Sequence, residues 1–305
     1  MNTRPFRYIT SLLIAAAGTT MAQAQDAATS EPVSRTFAGT QVINAQSIEV
    51  VPRKRSFGFM IQHRFGEFGP DQQALKQFAG LDLPANIRFA FQYAPVTGMH
   101  LELGRSKNGK VYDLGAKARL LRQTVENEVP VSITIWTNVG LMADDLPAVG
   151  DRDFFADGTT PFAYHFKHRL SYSTEAIVAR RFSERISLQL AAVAAYRNLV
   201  PVGGSNLTLA VPISGRVKVS TKGSVLFEVA PIVEGRSPKE HREPLAIAYE
   251  VATTGHVFQI VLASGQEFIG QRLYTSAASR YDEGHMHLGF NIARTLFVKP
   301  RKERP

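Results

Sequence analysis

Apolar and polar side chains alternate in segment after segment of this chain, and this period of two constrains its fold more than any other feature. Successive side chains of a β-strand point to opposite faces, so strict alternation predicts a strand with one apolar face and one polar face. Twelve segments show the pattern: 56–64, 86–93, 100–104, 112–120, 131–141, 166–178, 186–197, 207–219, 224–229, 245–251, 257–262 and 286–292.

The connections between these segments alternate between long and short. The three longest, at residues 66–85, 143–164 and 265–284, follow odd-numbered strands, whereas the connections after even-numbered strands are short. A membrane barrel whose N-terminus lies in the periplasm has short turns at that rim and long loops at the other. We therefore predict an all-β fold, an antiparallel transmembrane-type β-barrel of about 12 strands with its long loops on one rim.

Charged side chains collect on the polar face of the predicted strands. A charge at the bilayer midplane costs about 2–4 kcal/mol, so this face is expected to line the lumen, the reverse of a soluble barrel. The predicted lumen-lining acidic residues are Glu102, Asp113, Glu175, Glu228 and Glu250. The predicted lumen-lining basic residues are Arg64, Arg88, Lys117, Arg119, Lys167, Arg169, Arg197, Arg216 and Lys218. The net charge of +9 is thus expected mainly inside the barrel, and no nucleic-acid-binding module accompanies it.

The N-terminus has the pattern of a secretory signal peptide. Arg4 and Arg7 precede a short apolar stretch, and Ala22-Gln23-Ala24 forms a small-residue cleavage site. The predicted organisation is a signal peptide at 1–24, an N-terminal extension at 25–52, a barrel at 53–298 and a charged tail at 299–305. The extension alternates poorly, so three interpretations stay open: a short extra strand, a plug for the lumen, or a periplasmic tail.

Several short motifs resemble those of an uncharacterised family of bacterial β-barrel proteins, described as a domain of unknown function. They are HRFG (63–66), GLD (80–82), ANIR (85–88), LGRS (103–106), KARLL (117–121), FS (182–183), YRNLV (196–200) and TGHVFQ (254–259). The resemblance covers residues 36–297 and implies a β-barrel fold, without implying any activity.

The basic residues of the lumen support two hypotheses. A ring of Arg and Lys side chains favours anions, so Arg64, Arg88 and Arg105 could form an anion-attracting constriction. Alternatively, these side chains form salt bridges with the acidic residues and help to fill a narrow lumen. The leading prediction is an outer-membrane barrel for passage or binding of a small anionic solute. The alternative is a non-conducting structural barrel that docks a partner through its long loops.

Other chemistry has little support in the sequence. The chain has no Cys, which excludes disulfides, thiolate metal sites and cysteine nucleophiles. His285 and His287 lack a third placed ligand, so no metal site is predicted, and no cofactor is expected. The chain has no G-x-S-x-G motif, and we predict no enzyme. The alternative, a lipid hydrolase, would use His63 or His168 if these side chains face outward. The expected partners are the lipid bilayer, the outer-membrane assembly machinery and a small anionic solute, with no nucleic acid.

Overall fold

The computed structural model describes residues 31–70, 73–150, 153–201, 203–235, 242–276 and 278–296. These residues form fourteen antiparallel strand segments in one sheet. The segments are β1 (Phe57–Phe68), β2 (Asn86–Tyr93), β3 (Met99–Ser106), β4 (Val111–Leu121), β5 (Ser132–Met142), β6 (Leu170–Arg181), β7 (Ile186–Arg197), β8 (Leu207–Ala210), β9 (Ile213–Lys218), β10 (Gly223–Val229), β11 (Ile232–Glu234), β12 (Leu245–Ala252), β13 (His256–Ala263) and β14 (Met286–Leu296).

The sheet closes on itself into a barrel of twelve spanning strands. β1 pairs with both β2 and β14, while β7 pairs with both β8 and β9. β8 and β9 are two parts of one strand interrupted at Pro212, and β10 and β11 are likewise interrupted at Pro231, because proline has no N–H to donate to the ladder. The predicted fold class and strand number are confirmed.

The two faces of the barrel have the predicted polarity. Large apolar side chains point outward and are exposed, including Phe91 (60%), Leu103 (56%) and Ile260 (65%). The inward face carries polar and charged side chains that are almost fully buried, such as Gln62 and Arg88. Even the segment 257–262, whose alternation is the weakest, points Gln259 inward and Ile260 outward.

The two rims differ as the connection lengths predict. One rim, here called the turn rim, carries the connections at 94–98, 122–131, 182–185, 219–222 and 253–255. The opposite rim, here called the loop rim, carries the long connections at 69–85, 143–169 and 264–285. The described helices are short, namely α1 (Gln73–Lys76), α2 (Gly270–Leu273) and three 3₁₀ turns. None of them is long and apolar enough to cross a membrane.

One predicted strand begins later than its sequence pattern indicates. Residues Phe166–Arg169 form a 3₁₀ turn, and β6 starts only at Leu170. The placement of Lys167 and Arg169 on the lumen wall is therefore wrong. Lys167 is exposed, and Arg169 donates hydrogen bonds to the Met142 and Asp144 carbonyls at the loop rim. The 3₁₀ turn breaks the two-residue period on which that placement depended.

The predicted signal peptide and charged tail lie outside the described residues. The residue ranges given for them, and for the barrel and the extension, therefore stay predictions.

Candidate functional site

The described part of the N-terminal extension enters the barrel at the turn rim. Pro32 forms a β-bridge with Thr124 in the connection between β4 and β5, and the Val33 N–H donates to the Gln123 carbonyl at 2.9 Å. From there the chain runs into the lumen. Its apolar side chains are fully buried, at 1% exposure or less for Phe37, Val42, Ile43 and Ile48. Residues 36–51 are called the N-terminal segment below.

Residues 40–47 of this segment form a tight hairpin, here called the lumen hairpin. The Ser47 N–H donates to the Thr40 carbonyl at 3.0 Å, and the Val42 N–H donates to the Ala45 carbonyl at 2.9 Å. The base of the hairpin thus lies at Thr40 and Ser47, and its tip lies at residues 43–44. Buried backbone N–H and C=O groups need hydrogen-bond partners, and the barrel wall supplies the ones that the hairpin lacks.

The tip of the hairpin is held by the carboxyl group of Glu228 in β10. Glu228 accepts hydrogen bonds from three consecutive backbone N–H groups, those of Ile43 at 2.6 Å, Asn44 at 3.0 Å and Ala45 at 3.0 Å. Hydrogen bonds to a carboxylate are stronger than those between neutral groups. This contact is therefore a principal anchor of the hairpin.

Two buried cations hold the other parts of the hairpin. The Lys117 Nζ donates to the Thr40 carbonyl at 2.7 Å and the Ser47 carbonyl at 3.0 Å, at the base of the hairpin. The Arg64 guanidinium donates to the Asn44 Oδ1 at 2.7 Å, at the tip. Arg64 also donates to the Asn291 Oδ1 at 2.9 Å and lies 5.3 Å from the ring centre of Phe268.

Uncharged polar side chains complete the binding of the N-terminal segment. They come from strands all around the barrel, so the segment is surrounded by wall. The pairs are Gln62 with Gln41, Gln92 with Thr40, His100 with the Val51 N–H, Thr134 with the Ile48 carbonyl, Gln189 with the Gln46 carbonyl and the Ile48 N–H, Gln259 with the Val42 carbonyl, and Asn291 with the Ile43 carbonyl.

Two other predicted lumen residues, Arg88 and Arg119, have their charges compensated by ion pairs. Arg88 lies between two buried carboxylates, with its Nη2 at 2.8 Å from Glu102 and 2.6 Å from Asp113. Arg119 pairs with Glu49 of the N-terminal segment at 3.1 Å. The carboxylates around Arg88 match the salt-bridge hypothesis for that residue. They do not match the anion-constriction hypothesis, because its charge is already compensated within the wall.

The other predicted lumen residues are more scattered. Arg197 donates to Thr275 at 3.4 Å near the loop rim, and Glu250 accepts from Gln259 at 3.0 Å. Arg216 and Lys218 lie half-buried on the inward face of β9. Arg105, by contrast, lies on the outward face, where its guanidinium is 5.6 Å from the Tyr112 ring centre. The structure thus does not bring Arg64, Arg88 and Arg105 together in one ring.

A loop fills the lumen from the opposite end. Residues 264–276, which include α2, fold inward from the loop rim. Gln271 is fully buried, accepts from Ser173 at 2.9 Å and donates to Asn138 at 2.6 Å. Burial, together with the nearby carboxyl groups of Glu175 and Glu228, raises the pKa of the Tyr274 hydroxyl well above its ordinary value. Tyr274 therefore stays uncharged at neutral pH.

Small cavities remain where the two insertions meet and beside the hairpin. One cavity of about 40 Å³ is lined by Asn44, Glu228 and Tyr274, among others. Another of about 20 Å³ lies between Gln41, Gln259 and other residues of the hairpin and wall. A water molecule needs about 10–15 Å³, so each of these cavities has room for only a few waters.

The residues that sequence reasoning missed are mostly uncharged. Gln189, Gln259 and Asn291 contact the hairpin, whereas the predicted lumen residues are all charged. Their inward positions in alternating strands were the available signal. The described residues contain no group of three or more His, Asp or Glu side chains arranged to hold a metal ion. His285 instead lies 3.2 Å from Glu67, and His287 bonds Ser279.

A closed antiparallel sheet with an apolar outer surface and a polar interior defines a membrane β-barrel. The chain belongs to the family described as membrane bound beta barrel domain (DUF5777), which it matches over residues 37–296. This confirms the resemblance to a barrel family of unknown function. No curated protein matches the chain.

Solved structures of porins are also similar, although their sequences are distant. A KdgM porin in complex with disordered oligogalacturonate is 6% identical, with 77% of this chain and 98% of that chain covered and a TM-score of 0.47. A NanC porin is 5% identical, with 79% and 100% covered and a TM-score of 0.46. A mutant of the Rh. blastica porin is 11% identical, with 69% and 55% covered and a TM-score of 0.32.

Proposed function

We propose that this protein is an outer-membrane barrel for a small anionic solute and that its N-terminal segment closes the lumen. One observation carries the proposal: the lumen hairpin is bound by side chains from strands on all sides of the barrel. With the hairpin in place, the cavities beside it hold only a few waters. Passage of a solute therefore requires the hairpin to leave.

The charge of the wall supports an anionic solute. Of the predicted lumen residues that face inward, seven are basic and five are acidic. When the N-terminal segment leaves, Lys117 loses its carbonyl partners and Arg119 loses Glu49. Arg88 keeps both of its carboxylates. Release of the segment thus frees hydrogen-bonding capacity on three cations, Arg64, Lys117 and Arg119, and on one carboxylate, that of Glu228, and this balance favours anions.

The proposal includes export and insertion. The signal peptide would carry the chain out of the cytoplasm, and the outer-membrane assembly machinery would insert the barrel with its apolar face in the lipid. No catalytic role is proposed.

Planar-bilayer recordings test this function. The intact chain is expected to show almost no conductance. A variant that lacks residues 36–51, and in which residues 266–276 of the inward-folded loop are replaced by a short Gly-Ser linker, is expected to show steps whose reversal potential favours anions. Heat-modifiable gel mobility establishes that each preparation is folded. Sustained conductance of the intact chain would contradict the closed lumen. A folded deletion variant that stays silent would overturn the solute-passage role and favour a structural or partner-docking barrel.

A further inference from the structure

Among the buried charged side chains of the wall that lack an ion pair, three contact the lumen hairpin, namely Arg64, Lys117 and Glu228. Their exposed fractions are 0%, 0% and 8%. Within the described part of the chain, no oppositely charged group lies within 4 Å of any of them, in contrast to Arg88 and Arg119. A buried charge without a partner is costly unless polar groups solvate it. Here the lumen hairpin solvates Lys117 and Glu228, whereas Arg64 bonds both to Asn44 of the hairpin and to His63 and Asn291 of the wall.

The hairpin provides only neutral oxygens to the two cations. Lys117 receives backbone carbonyls at the base, and Arg64 receives the side-chain amide oxygen of Asn44 at the tip. The Arg64 Nε, although buried, has no hydrogen-bond partner at all. Carboxylate or phosphate oxygens bind Arg and Lys more strongly than neutral oxygens do. Both positions would therefore bind an anionic group better than they bind the hairpin.

The hairpin also sets the spacing between the two positions. Three residues along the chain separate Ser47, which contacts Lys117, from Asn44, which contacts Arg64. At ~3.3 Å per residue of extended chain, the two contacted residues lie roughly 10 Å apart. A single small anion cannot reach both cations at this distance, but an elongated solute with an anionic group near each end can.

We propose that Arg64 and Lys117 are the two ends of a binding site for an elongated, multiply anionic solute, and that the lumen hairpin occupies this site in the closed state. This inference rests on the proposed function, because it requires that the hairpin can leave. Solute binding and hairpin release are then one exchange: the anionic groups replace the Asn44 amide and the Thr40 and Ser47 carbonyls. A solute that engages both cations gains from the high effective concentration of its second group.

Cysteine labelling tests the exchange in the full-length protein, since the natural chain has no Cys. Ala45→Cys is the first reporter, because Ala45 is buried and lines the cavity of about 40 Å³. Ser47→Cys is a second, nearly isosteric reporter. The rate of maleimide labelling is measured with tetraglutamate, whose first and last residues lie roughly 10 Å apart when the peptide is extended. Free glutamate at the same carboxylate concentration and sodium chloride at the same ionic strength are the comparisons.

Tetraglutamate is expected to raise the labelling rate of both reporters at least tenfold, and free glutamate less than twofold. In Arg64→Gln and in Lys117→Gln, tetraglutamate should no longer accelerate labelling, so the ratio of the rates with and without it should fall to about one. Arg185 and Lys222 are exposed residues of the turn rim. The control variants Arg185→Gln and Lys222→Gln remove the same charges there and should keep the full acceleration by tetraglutamate.

Three results would overturn the proposed site. They are equal acceleration by glutamate and tetraglutamate, acceleration that persists in Arg64→Gln and Lys117→Gln, and slow labelling that no anion accelerates. Rapid labelling of both folded reporters without any probe would instead contradict the closed lumen, and the site would fall with it.

Discussion

Removal of the Glu228 carboxyl group is expected to release the lumen hairpin while leaving the barrel folded. Glu228→Leu keeps a side chain of similar size but leaves the N–H groups of Ile43, Asn44 and Ala45 without their acceptor. Each buried N–H without a partner costs about 1–3 kcal/mol. Even at the lower end, the three together destabilise the docked hairpin by about 3 kcal/mol. This corresponds to roughly a 100-fold increase in the undocked population.

Hydrogen–deuterium exchange measures this change residue by residue. The amides of Ile48 and Val51 are suitable readouts, because they bond to Gln189 and His100 and do not touch Glu228. Their exchange should accelerate roughly 100-fold in Glu228→Leu. Glu228→Gln keeps one acceptor oxygen, so its effect should be smaller. Glu234→Leu changes an exposed carboxylate and should have no effect.

Two results would refute the reasoning. Unchanged exchange at Ile48 and Val51 would mean that Glu228 does not anchor the hairpin. Equal acceleration in the β-strands would mean that the substitution destabilises the whole barrel rather than releasing the segment from it.

Three further outcomes are expected. Leu190→Lys places a charge on the lipid-facing surface, which costs about 2–4 kcal/mol and should reduce the heat-modifiable folded band. Ala293→Lys, whose side chain faces a cavity near the turn rim, should leave the band unchanged. Equal yields of folded protein would contradict the face assignment. Arg88→Gln leaves two buried carboxylates unpaired and should lower the free energy of unfolding in urea by about 3–5 kcal/mol, so a change below ~1 kcal/mol would contradict its structural role. Hydrogen bonds led by that from the Thr160 hydroxyl lower the pKa of Asp157 to about 2. Asp157 should therefore stay ionised and keep these bonds at neutral pH, and should lose them as the pH falls through about 2. In Thr160→Val, an NMR titration of Asp157 should show a midpoint at higher pH than in the natural chain.

The barrel could be predicted because its period of two follows directly from strand geometry and from the contrast between lipid and water. The same signal failed at Lys167, where alternation continues by chance into a 3₁₀ turn. The pairing of Arg88 with Glu102 and Asp113 could not be predicted in detail. It depends on the registers of β2 with β3 and of β3 with β4, which the turns determine and composition does not.

The content of the lumen was the least predictable part. The N-terminal segment alternates poorly, and its apolar residues Val42, Ile43 and Ile48 fit a strand, a plug or a tail equally well. The wall holds it mainly through its backbone N–H and C=O groups. Every sequence carries such groups, so no side-chain pattern shows where they bind. A buried wall charge with no opposite partner, such as Lys117, becomes informative only once its neighbours are known.

Distance measurements between spin labels test most directly the central claim that the N-terminal segment lies inside the barrel. One label at Ser47→Cys would be paired separately with Arg185→Cys at the turn rim and with Glu234→Cys near the loop rim. Both pairs should give a single narrow distance, each shorter than the roughly 40 Å of a 12-residue strand. A broad distribution in both pairs, or a distance to Glu234→Cys longer than a strand, would place the segment outside the lumen and contradict the account.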